Sequence, residues 1–230
     1  MDTAGVASFS SSDLKWLNDP TGWLVSPGAP SDEEGAGGSY HITQDGAELH
    51  LSAPCKKDFW SKTFYTPLLV KSDASALVYT VSDGIEVSVK VDFDFVPKTQ
   101  FDQAGLLVFI DQDHWVKCGI EYCDGSPRLS VVVCNNFSDW STQPWGSTSA
   151  SLKIHKVNQS DSLVVEAAPI GSLDYNFVRI AHLSCGAEGQ RLPWQVGPYA
   201  ACPIAQNGCK AVFRNFSVGP KEESLHSSEL

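Results

Sequence analysis

The fold is decided by the stretch FDQAGLLVFIDQDHWVKCGIEYCDGSPRLSVVVCNNFSDWSTQPW, which runs from Phe101 to Trp145. Three of its segments are rich in hydrophobic residues: 106–110, 115–122 and 129–134. Polar turn residues separate these segments. In the pair Asp124–Gly125, the glycine readily takes the positive φ that a tight hairpin turn requires. The stretch therefore predicts an antiparallel meander of three β-strands.

The middle segment indicates what each side of this meander carries. Side chains alternate between the two faces of a strand, so Trp115, Lys117 and Glu121 share one face. Hydrophobic residues occupy most of the positions between them. One face of the meander is therefore predicted to belong to the core, and the opposite face carries polar and aromatic groups that are candidates for function.

The rest of the chain is also predicted to be β-structure. The clearest segment is Ile85–Val96, in which hydrophobic and polar positions alternate with the period of a half-buried strand. We predict roughly 14 to 16 strands in total, and no amphipathic helix of normal length. Residues 194–201 are expected at a sheet edge, because they contain a proline. The other predicted strands and extended segments are 14–17, 23–25, 48–53, 64–70, 77–81, 152–157, 163–168, 177–183 and 211–218.

A single β-sandwich domain spanning residues 1–230 is the simplest organisation. Only the loop at 26–39 and the C-terminal tail depart from the composition of the remainder. We predict an ordered core at about residues 10–220 and a disordered tail at 221–230.

The net charge of −11 limits the classes of partner. A chain this acidic repels nucleic acid and anionic membranes. No apolar run is long enough to cross a bilayer. We therefore expect neither a nucleic-acid nor a membrane partner.

The chain has seven cysteines but no C-x-x-C motif. Its first residues lack a basic region followed by an apolar run, which predicts no secretory signal. We therefore expect reduced thiols in a cytoplasmic protein, with the nucleus as the alternative. A metal site from His114, Cys118 and Cys123 is less favoured, because free cysteine on a strand usually behaves as a small hydrophobic residue. No metal or other cofactor is expected.

Several short motifs together resemble the family named for the regulation of enolase, whose domains have largely unknown function. These motifs are Gly22-Trp23, Asp58-Phe59-Trp60, Asp102-Gln103-Ala104-Gly105, Trp115-Val116-Lys117, Gly119-Ile120-Glu121-Tyr122, Ser138-Asp139-Trp140-Ser141, Gly197-Pro198-Tyr199 and Phe213-Arg214-Asn215-Phe216. The resemblance covers roughly residues 10–220. It implies an all-β, concanavalin A-like jelly-roll sandwich of two antiparallel sheets, the architecture of many lectins and glucanases. It implies no reaction, because a fold does not determine function.

The polar face of the meander is the first candidate for a binding site. A concave sheet face can hold an extended ligand, aromatic rings stack on sugars, and polar groups bind hydroxyls. We therefore predict a non-catalytic domain that binds a carbohydrate or a sugar-derived molecule. The predicted ligand-binding residues are Asp102, Gln103, Trp115, Lys117, Glu121, Trp60, Trp140 and Arg179. The alternatives are a core position for each tryptophan and a structural ion pair between Lys117 and Glu121.

Two other functions remain open. A glycoside hydrolase needs two carboxylates that flank the scissile bond, and the best pair in the sequence is Glu121 with Asp102. The E-x-D-x-E pattern of sandwich glucanases is absent. No catalytic residue is therefore assigned. The other function is a protein-interaction module that regulates a metabolic enzyme such as enolase, which the name of the family suggests.

Overall fold

The computed structural model describes residues 5–22, 37–157, 161–184, 191–204 and 208–224. Sixteen strands form in these ranges, together with a short 3₁₀ turn at Pro20–Gly22. The strands are β1 (Leu14–Leu17), β2 (Ser39–Ile42), β3 (Glu48–Ser52), β4 (Phe59–Ser61), β5 (Val70–Ser72), β6 (Ser75–Val81), β7 (Val87–Val96), β8 (Gln103–Asp111), β9 (His114–Cys123), β10 (Ser126–Asn135), β11 (Phe137–Pro144), β12 (Ser149–Val157), β13 (Ser162–Ala168), β14 (Asn176–His182), β15 (Trp194–Ala201) and β16 (Lys210–Pro220).

Two antiparallel sheets of seven strands each contain most of these elements. Sheet I has the strand order β1-β6-β15-β8-β9-β10-β11, and sheet II has the order β14-β13-β12-β7-β16-β3-β2. The inward-facing hydrophobic residues of both sheets form one core, in which Val108 and Val116 belong to sheet I and Val91 and Phe93 to sheet II. The predicted all-β sandwich of two antiparallel sheets is thereby confirmed.

The outward face of sheet I is covered by the β4–β5 hairpin rather than by solvent. Phe59 and Trp60 of this hairpin belong to a second hydrophobic cluster with Leu107 and Trp115 of sheet I. The hairpin is also tied to the edge strand β11, where Ser61 N donates a hydrogen bond of 2.9 Å to Ser138 Oγ. The face that the sequence marked as functional is therefore largely buried beneath a hairpin.

Three details of the predicted strands need correction. The meander continues into a fourth strand, β11. Only Val70–Ser72 is a strand in the region predicted as extended at 64–70. Finally, β15 is an interior strand between β6 and β8. Its pairing with β6 is interrupted at Gly197 and Pro198, and this interruption accommodates a residue that has no N–H group.

The described residues include contacts on both sides of the predicted core limits of 10 and 220, and residues 225–230 of the predicted tail lie outside the described residues. Phe9 stacks on Phe216 with the ring centroids 5.5 Å apart, and Glu222 N donates a hydrogen bond of 2.6 Å to Ser88 Oγ. The predicted segment at 23–25 and most of the loop at 26–39 lie outside the described residues. In the part of the chain that the structure describes, no helix has the length and hydrophobicity needed to span a membrane.

Candidate functional site

An inner pocket of about 160 Å³ lies between the β4–β5 hairpin and sheet I. Its polar base contains Asp58, Lys117 and Glu121. The sequence places these groups together in two ways. Lys117 and Glu121 share one face of β9 because they are four residues apart on a strand. Asp58 immediately precedes β4, so the hairpin places its carboxylate over that face.

Asp58 and Lys117 form a buried ion pair at the base of this pocket. Lys117 Nζ lies 2.6 Å from Asp58 Oδ1. Gln103 Nε2 donates a further hydrogen bond of 3.3 Å to the same oxygen, and Tyr199 OH donates one of 3.0 Å to Gln103 Oε1. Burial raises the pKa of Asp58, whereas the Lys117 ammonium lowers it. The cation and the amide therefore offset part of the cost of burying this carboxylate.

Glu121 is the second carboxylate at the base, and its environment differs. Ser130 Oγ donates a hydrogen bond of 2.7 Å to Glu121 Oε2, and Trp140 Nε1 donates one of 2.9 Å to Ser130 Oγ. Within the described ranges, no lysine, arginine or histidine forms an ion pair with Glu121 at 4.0 Å or less. Burial raises the pKa of Glu121 to about 7, although Lys117 and the hydrogen bond from Ser130 oppose the shift. This carboxyl group can therefore gain or lose a proton near neutral pH.

Four aromatic residues form a neck above this base. Trp60, Tyr65, Phe101 and Trp140 line both the inner pocket and an adjoining outer pocket of about 620 Å³. Their rings meet edge to face: Trp60 and Tyr65 at 71°, Trp60 and Trp140 at 84°, and Phe101 and Trp140 at 80°. We call these four residues the aromatic neck.

The backbone of Phe101 has an unusual conformation. Its φ is 67°, in the left-handed region that bulky side chains rarely adopt. Phe101 N donates a hydrogen bond of 2.7 Å to Tyr122 O, and Gln103 Nε2 donates one of 3.1 Å to Phe101 O. Strained residues cluster at functional sites because the surrounding structure maintains them there. The conformation of Phe101 therefore supports the aromatic neck as part of a candidate functional site.

Comparisons with known proteins place this chain in a family. A family model described as a protein of unknown function, DUF1349, matches residues 38–221. The chain belongs to the DUF1349 family. This DUF1349 protein is 28% identical over 186 residues to Regulation of enolase protein 1 of Saccharomyces cerevisiae, a match that covers 80% of this chain and 88% of the yeast protein. The predicted resemblance to the regulation-of-enolase family is confirmed.

Solved structures support the fold of the DUF1349 chain. A crystal structure of a functionally unknown protein from Saccharomyces cerevisiae matches with a TM-score of 0.73 and 27% identity, over 92% of this chain and 98% of that chain. The GH43 protein BlXynB from Bacillus licheniformis matches with a TM-score of 0.62 and 16% identity, over 92% of this chain and 37% of that chain. The second similarity is one of fold alone.

Five of the eight predicted site residues lie in or directly beneath the pocket of the DUF1349 protein. Lys117, Glu121, Trp60 and Trp140 line the inner pocket. Gln103 lies one layer below, where it positions Asp58 through its hydrogen bond. Their roles in binding a ligand stay predictions.

The other three predicted residues have structural surroundings outside the inner pocket. Trp115 is fully buried, with its ring centroid 5.8 Å from that of Phe59, so it has no free face for a sugar. Asp102 is also fully buried and accepts hydrogen bonds from the backbone N–H groups of Lys98 and Thr99. These two positions correct the predicted site.

Arg179 belongs to β14 of sheet II and reaches across to the edge of sheet I. Its guanidinium lies 3.0 Å from Asp139 Oδ2 and donates a hydrogen bond of 2.8 Å to Ser141 Oγ. Asp139 lines the outer pocket, but Arg179 lines neither pocket. The role visible for Arg179 is to bridge the two sheets.

Seven residues that line the inner pocket were not among the predicted site residues: Asp58, Tyr65, Leu69, Phe101, Val132, Pro203 and Ile204. The motif Asp58-Phe59-Trp60 had been recognised, but only Trp60 was assigned to the site. Because Asp102 is bonded to its own loop, the pair of carboxylates in the pocket is Glu121 with Asp58 rather than Glu121 with Asp102. The described residues contain no group of three His, Cys, Asp or Glu side chains arranged to hold a metal ion. The alternative site from His114, Cys118 and Cys123 is therefore not formed.

Proposed function

We propose that this DUF1349 protein binds a small, sugar-derived molecule without transforming it, in the pocket between the β4–β5 hairpin and sheet I. The observation that carries the proposal is the arrangement of charged groups at the base beneath an aromatic neck. Ligand sites are typically concave, largely apolar and equipped with a few fixed polar groups. The inner pocket has this composition.

The dimensions of the two pockets favour a ligand with a small head and a larger body. The outer pocket, at about 620 Å³, lies within the range of roughly 300–1,000 Å³ that is usual for small-molecule sites. The inner pocket, at about 160 Å³, has room for a group roughly the size of a benzene ring. We infer that the head of the ligand reaches the polar base and that its body occupies the outer pocket.

The aromatic neck and the polar base suit different parts of a sugar. Aromatic rings pack against the apolar faces of a pyranose, while carboxylates and an ammonium group bind hydroxyl groups. Lys117 is held by Asp58 at 2.6 Å and Glu121 by Ser130 at 2.7 Å. These groups are oriented before a ligand arrives, which reduces the entropic cost of binding.

A thermal-shift screen with monosaccharides, oligosaccharides and sugar phosphates tests this proposal. A ligand at a hundred times its dissociation constant should stabilise the native protein by about 2.7 kcal/mol and raise its melting temperature. Trp140→Ala should reduce the shift to roughly half, because Trp140 contributes a ring to the neck and its loss should weaken binding about tenfold. Phe137→Ala is the matched control, since Phe137 is an exposed ring on the same strand and lines neither pocket.

The proposal fails if no compound of the screen raises the melting temperature of the wild-type protein. It also fails if Trp140→Ala and Phe137→Ala respond to a ligand as the wild-type protein does. Release of a cleaved product from a bound oligosaccharide would contradict the non-catalytic part of the proposal.

A second candidate is a protein-interaction module that regulates a metabolic enzyme. The yeast relative is named Regulation of enolase protein 1. The loop between β4 and β5 also exposes Phe64 and Leu68, with 89% and 70% of their surfaces accessible. Exposed hydrophobic groups on a neighbouring loop favour a protein contact. An enolase assay with the wild-type protein and with a Leu68→Ser variant tests it, because Leu68, unlike Phe64, lines neither pocket: only the wild-type protein should alter the rate.

A further inference from the structure

The chemical character of the aromatic neck and of its charged surroundings narrows the class of ligand. We propose that the ligand presents an ammonium group to the neck, as an amino sugar or an alkylammonium compound does. This inference rests on the proposed ligand-binding pocket and specifies the charge of what that pocket holds. Two observations carry it: the arrangement of the rings, and the balance of charges along the two pockets.

The four rings of the aromatic neck meet edge to face rather than in parallel stacks. Neighbouring rings meet at 71°, 84° and 80°, with centroid distances of 5.7, 6.3 and 6.2 Å. All four residues line both the inner and the outer pocket. A cation within about 6 Å of ring centroids is attracted by the negative faces of the rings, and tryptophan binds it best.

The charges along the pockets favour a cation as well. Four carboxylates line the two pockets, whereas one lysine does so: the residues are Asp58, Glu121, Asp124, Asp139 and Lys117. No lysine, arginine or histidine of the described ranges lines the outer pocket. Lys117 is engaged by Asp58, and Asp139 by Arg179. Of the four pocket carboxylates, Glu121 and Asp124 are therefore the two that have no ion-pair partner among the described residues.

Glu121 is the group that an ammonium ion in the neck would affect most. Trp140 of the neck is joined to Glu121 through Ser130, by hydrogen bonds of 2.9 and 2.7 Å. A cation stabilises the ionised carboxylate. Because the pKa of Glu121 is about 7 without a ligand, binding of a cation at neutral pH should release a proton.

Other titratable and charged groups lie around Glu121. They are Asp58, Tyr65, Lys117, Cys123 and Tyr199, together with Arg128, which lies opposite Glu121 on β10 and donates a hydrogen bond of 2.8 Å from Nε to Thr142 Oγ1. Burial raises the pKa of Tyr65 and of Tyr199 above the usual value for tyrosine, and that of Cys123 to about 11. These three groups keep their protons at neutral pH. Burial raises the pKa of Asp58 and the Lys117 ammonium opposes this shift, so the Glu121→Gln variant is needed to assign the released proton to Glu121.

Isothermal titration calorimetry with two pairs of probes tests the inference. Choline is compared with its uncharged tert-butyl analogue, and glucosamine with glucose. Each pair keeps shape nearly constant and changes charge. We expect the charged member to bind at least about tenfold more tightly in one or both pairs. Selectivity in the choline pair would identify an alkylammonium ligand, and selectivity confined to the glucosamine pair would identify an amino sugar.

The dependence on pH provides an independent test with a permanently charged probe. Between about pH 6 and about pH 8, the affinity for choline should rise roughly tenfold, because Glu121 must lose its proton to bind the cation well. Glu121→Gln should weaken binding and remove this dependence. Glu166→Gln is the matched control, since Glu166 is a buried glutamate of sheet II that lines neither pocket.

The rings are tested on the same probe. Trp140→Ala should weaken the binding of choline by roughly tenfold. Trp140→Phe should retain most of the affinity because it keeps a ring in the neck. Phe137→Ala should leave the affinity unchanged, although Phe137 already lies 5.3 Å from the Lys62 ammonium on the surface.

Each negative result has a distinct meaning. Equal binding of glucose and glucosamine, with no preference for choline over its analogue, would overturn the ammonium inference and leave the proposed sugar site intact. Unchanged choline binding in Glu121→Gln and Trp140→Ala would place the cation elsewhere and overturn the inference too. A complete lack of binding in both pairs and in the sugar screen would overturn the pocket proposal itself.

Discussion

Two buried polar clusters lie on the outward faces of the two sheets, and one of them forms the base of the inner pocket. The cluster on sheet I contains Asp58, Lys117 and Glu121 beneath the β4–β5 hairpin. The cluster on sheet II consists of Ser88, His155 and Glu166. We call them the hairpin cluster and the tail cluster. Both place titratable side chains at positions where less than a tenth of the surface is exposed.

The members of the tail cluster are hydrogen-bonded to one another and to the backbone that follows β16. His155 Nδ1 lies 2.7 Å from Ser88 Oγ, and His155 Nε2 lies 3.3 Å from Glu166 Oε2. The backbone N–H of Glu222, which follows β16, donates a further hydrogen bond to Ser88 Oγ. None of these residues lines the inner or the outer pocket. Burial and unusual titration are therefore insufficient to mark a site, and the pocket beside the hairpin cluster distinguishes it.

The largest expected effect comes from removing the cation of the hairpin cluster. Lys117→Met should lower the free energy of unfolding by about 3–5 kcal/mol, because it leaves Asp58 buried without a countercharge. Lys153→Met is the control near the tail cluster, where Lys153 pairs with the half-exposed Glu222 at 2.8 Å. Such a pair contributes about 0–1 kcal/mol. Urea denaturation measures both losses.

A double variant distinguishes the loss of the Lys117 side chain from the cost of leaving the Asp58 carboxylate buried without a countercharge. Lys117→Met/Asp58→Asn should be less destabilised than Lys117→Met alone, since it contains no unpaired buried carboxylate. Equal losses for Lys117→Met and Lys153→Met would show that the hairpin cluster is as open to solvent as the surface.

The two clusters should also respond to pH in opposite directions, and the larger response belongs to Glu121. Its pKa is raised from 4.5 to about 7, so the folded protein binds this proton more tightly than the unfolded chain does. The stabilising contribution is complete below pH 4.5 and is lost as the pH rises to 7. Relative to Glu121→Gln, the wild-type protein should lose about 3 kcal/mol of stability over that window. Parallel stability curves for the two proteins would contradict this account.

His155 of the tail cluster should show the smaller, opposite response. Burial lowers its pKa from 6.5, and the neighbouring Glu166 opposes the shift. The folded protein therefore holds the neutral ring, and stability should fall as the pH drops below 6.5. His155→Gln should flatten this acid-side loss in denaturation curves recorded at a series of pH values. A wild-type slope that survives the substitution would assign the loss to another group.

The smallest expected effect is at Arg179. Its partner Asp139 is largely exposed, with 74% of the side chain accessible, so Arg179→Met should cost about 0–1 kcal/mol in urea denaturation. Ligand affinity should remain within a factor of about two, because Arg179 lines neither pocket. A strong loss of binding would restore Arg179 to the site that the sequence predicted.

The alternation of side chains along β9 was readable from sequence, and it placed Lys117 and Glu121 on one face correctly. Sequence could not show that Phe59 packs over Trp115 while leaving Lys117 and Glu121 beside a pocket. That outcome depends on a hairpin more than forty positions away in the chain. Asp58 was absent from the predicted site for the same reason. The local sequence pattern around Lys117 carries no information on which distant carboxylate forms an ion pair with it. The interior position of β15 was also hidden, because its pairing is interrupted where the proline lies.

We infer that Glu121 titrates near neutral pH at the base of a pocket that binds an ammonium group. Carbon-13 NMR of the Glu121 side-chain carboxyl, recorded through a pH titration with and without choline, tests it most directly. We predict a midpoint near 7 for the free protein and a lower midpoint with choline bound. A midpoint near the ordinary glutamate value of 4.5 that choline does not change would contradict the account.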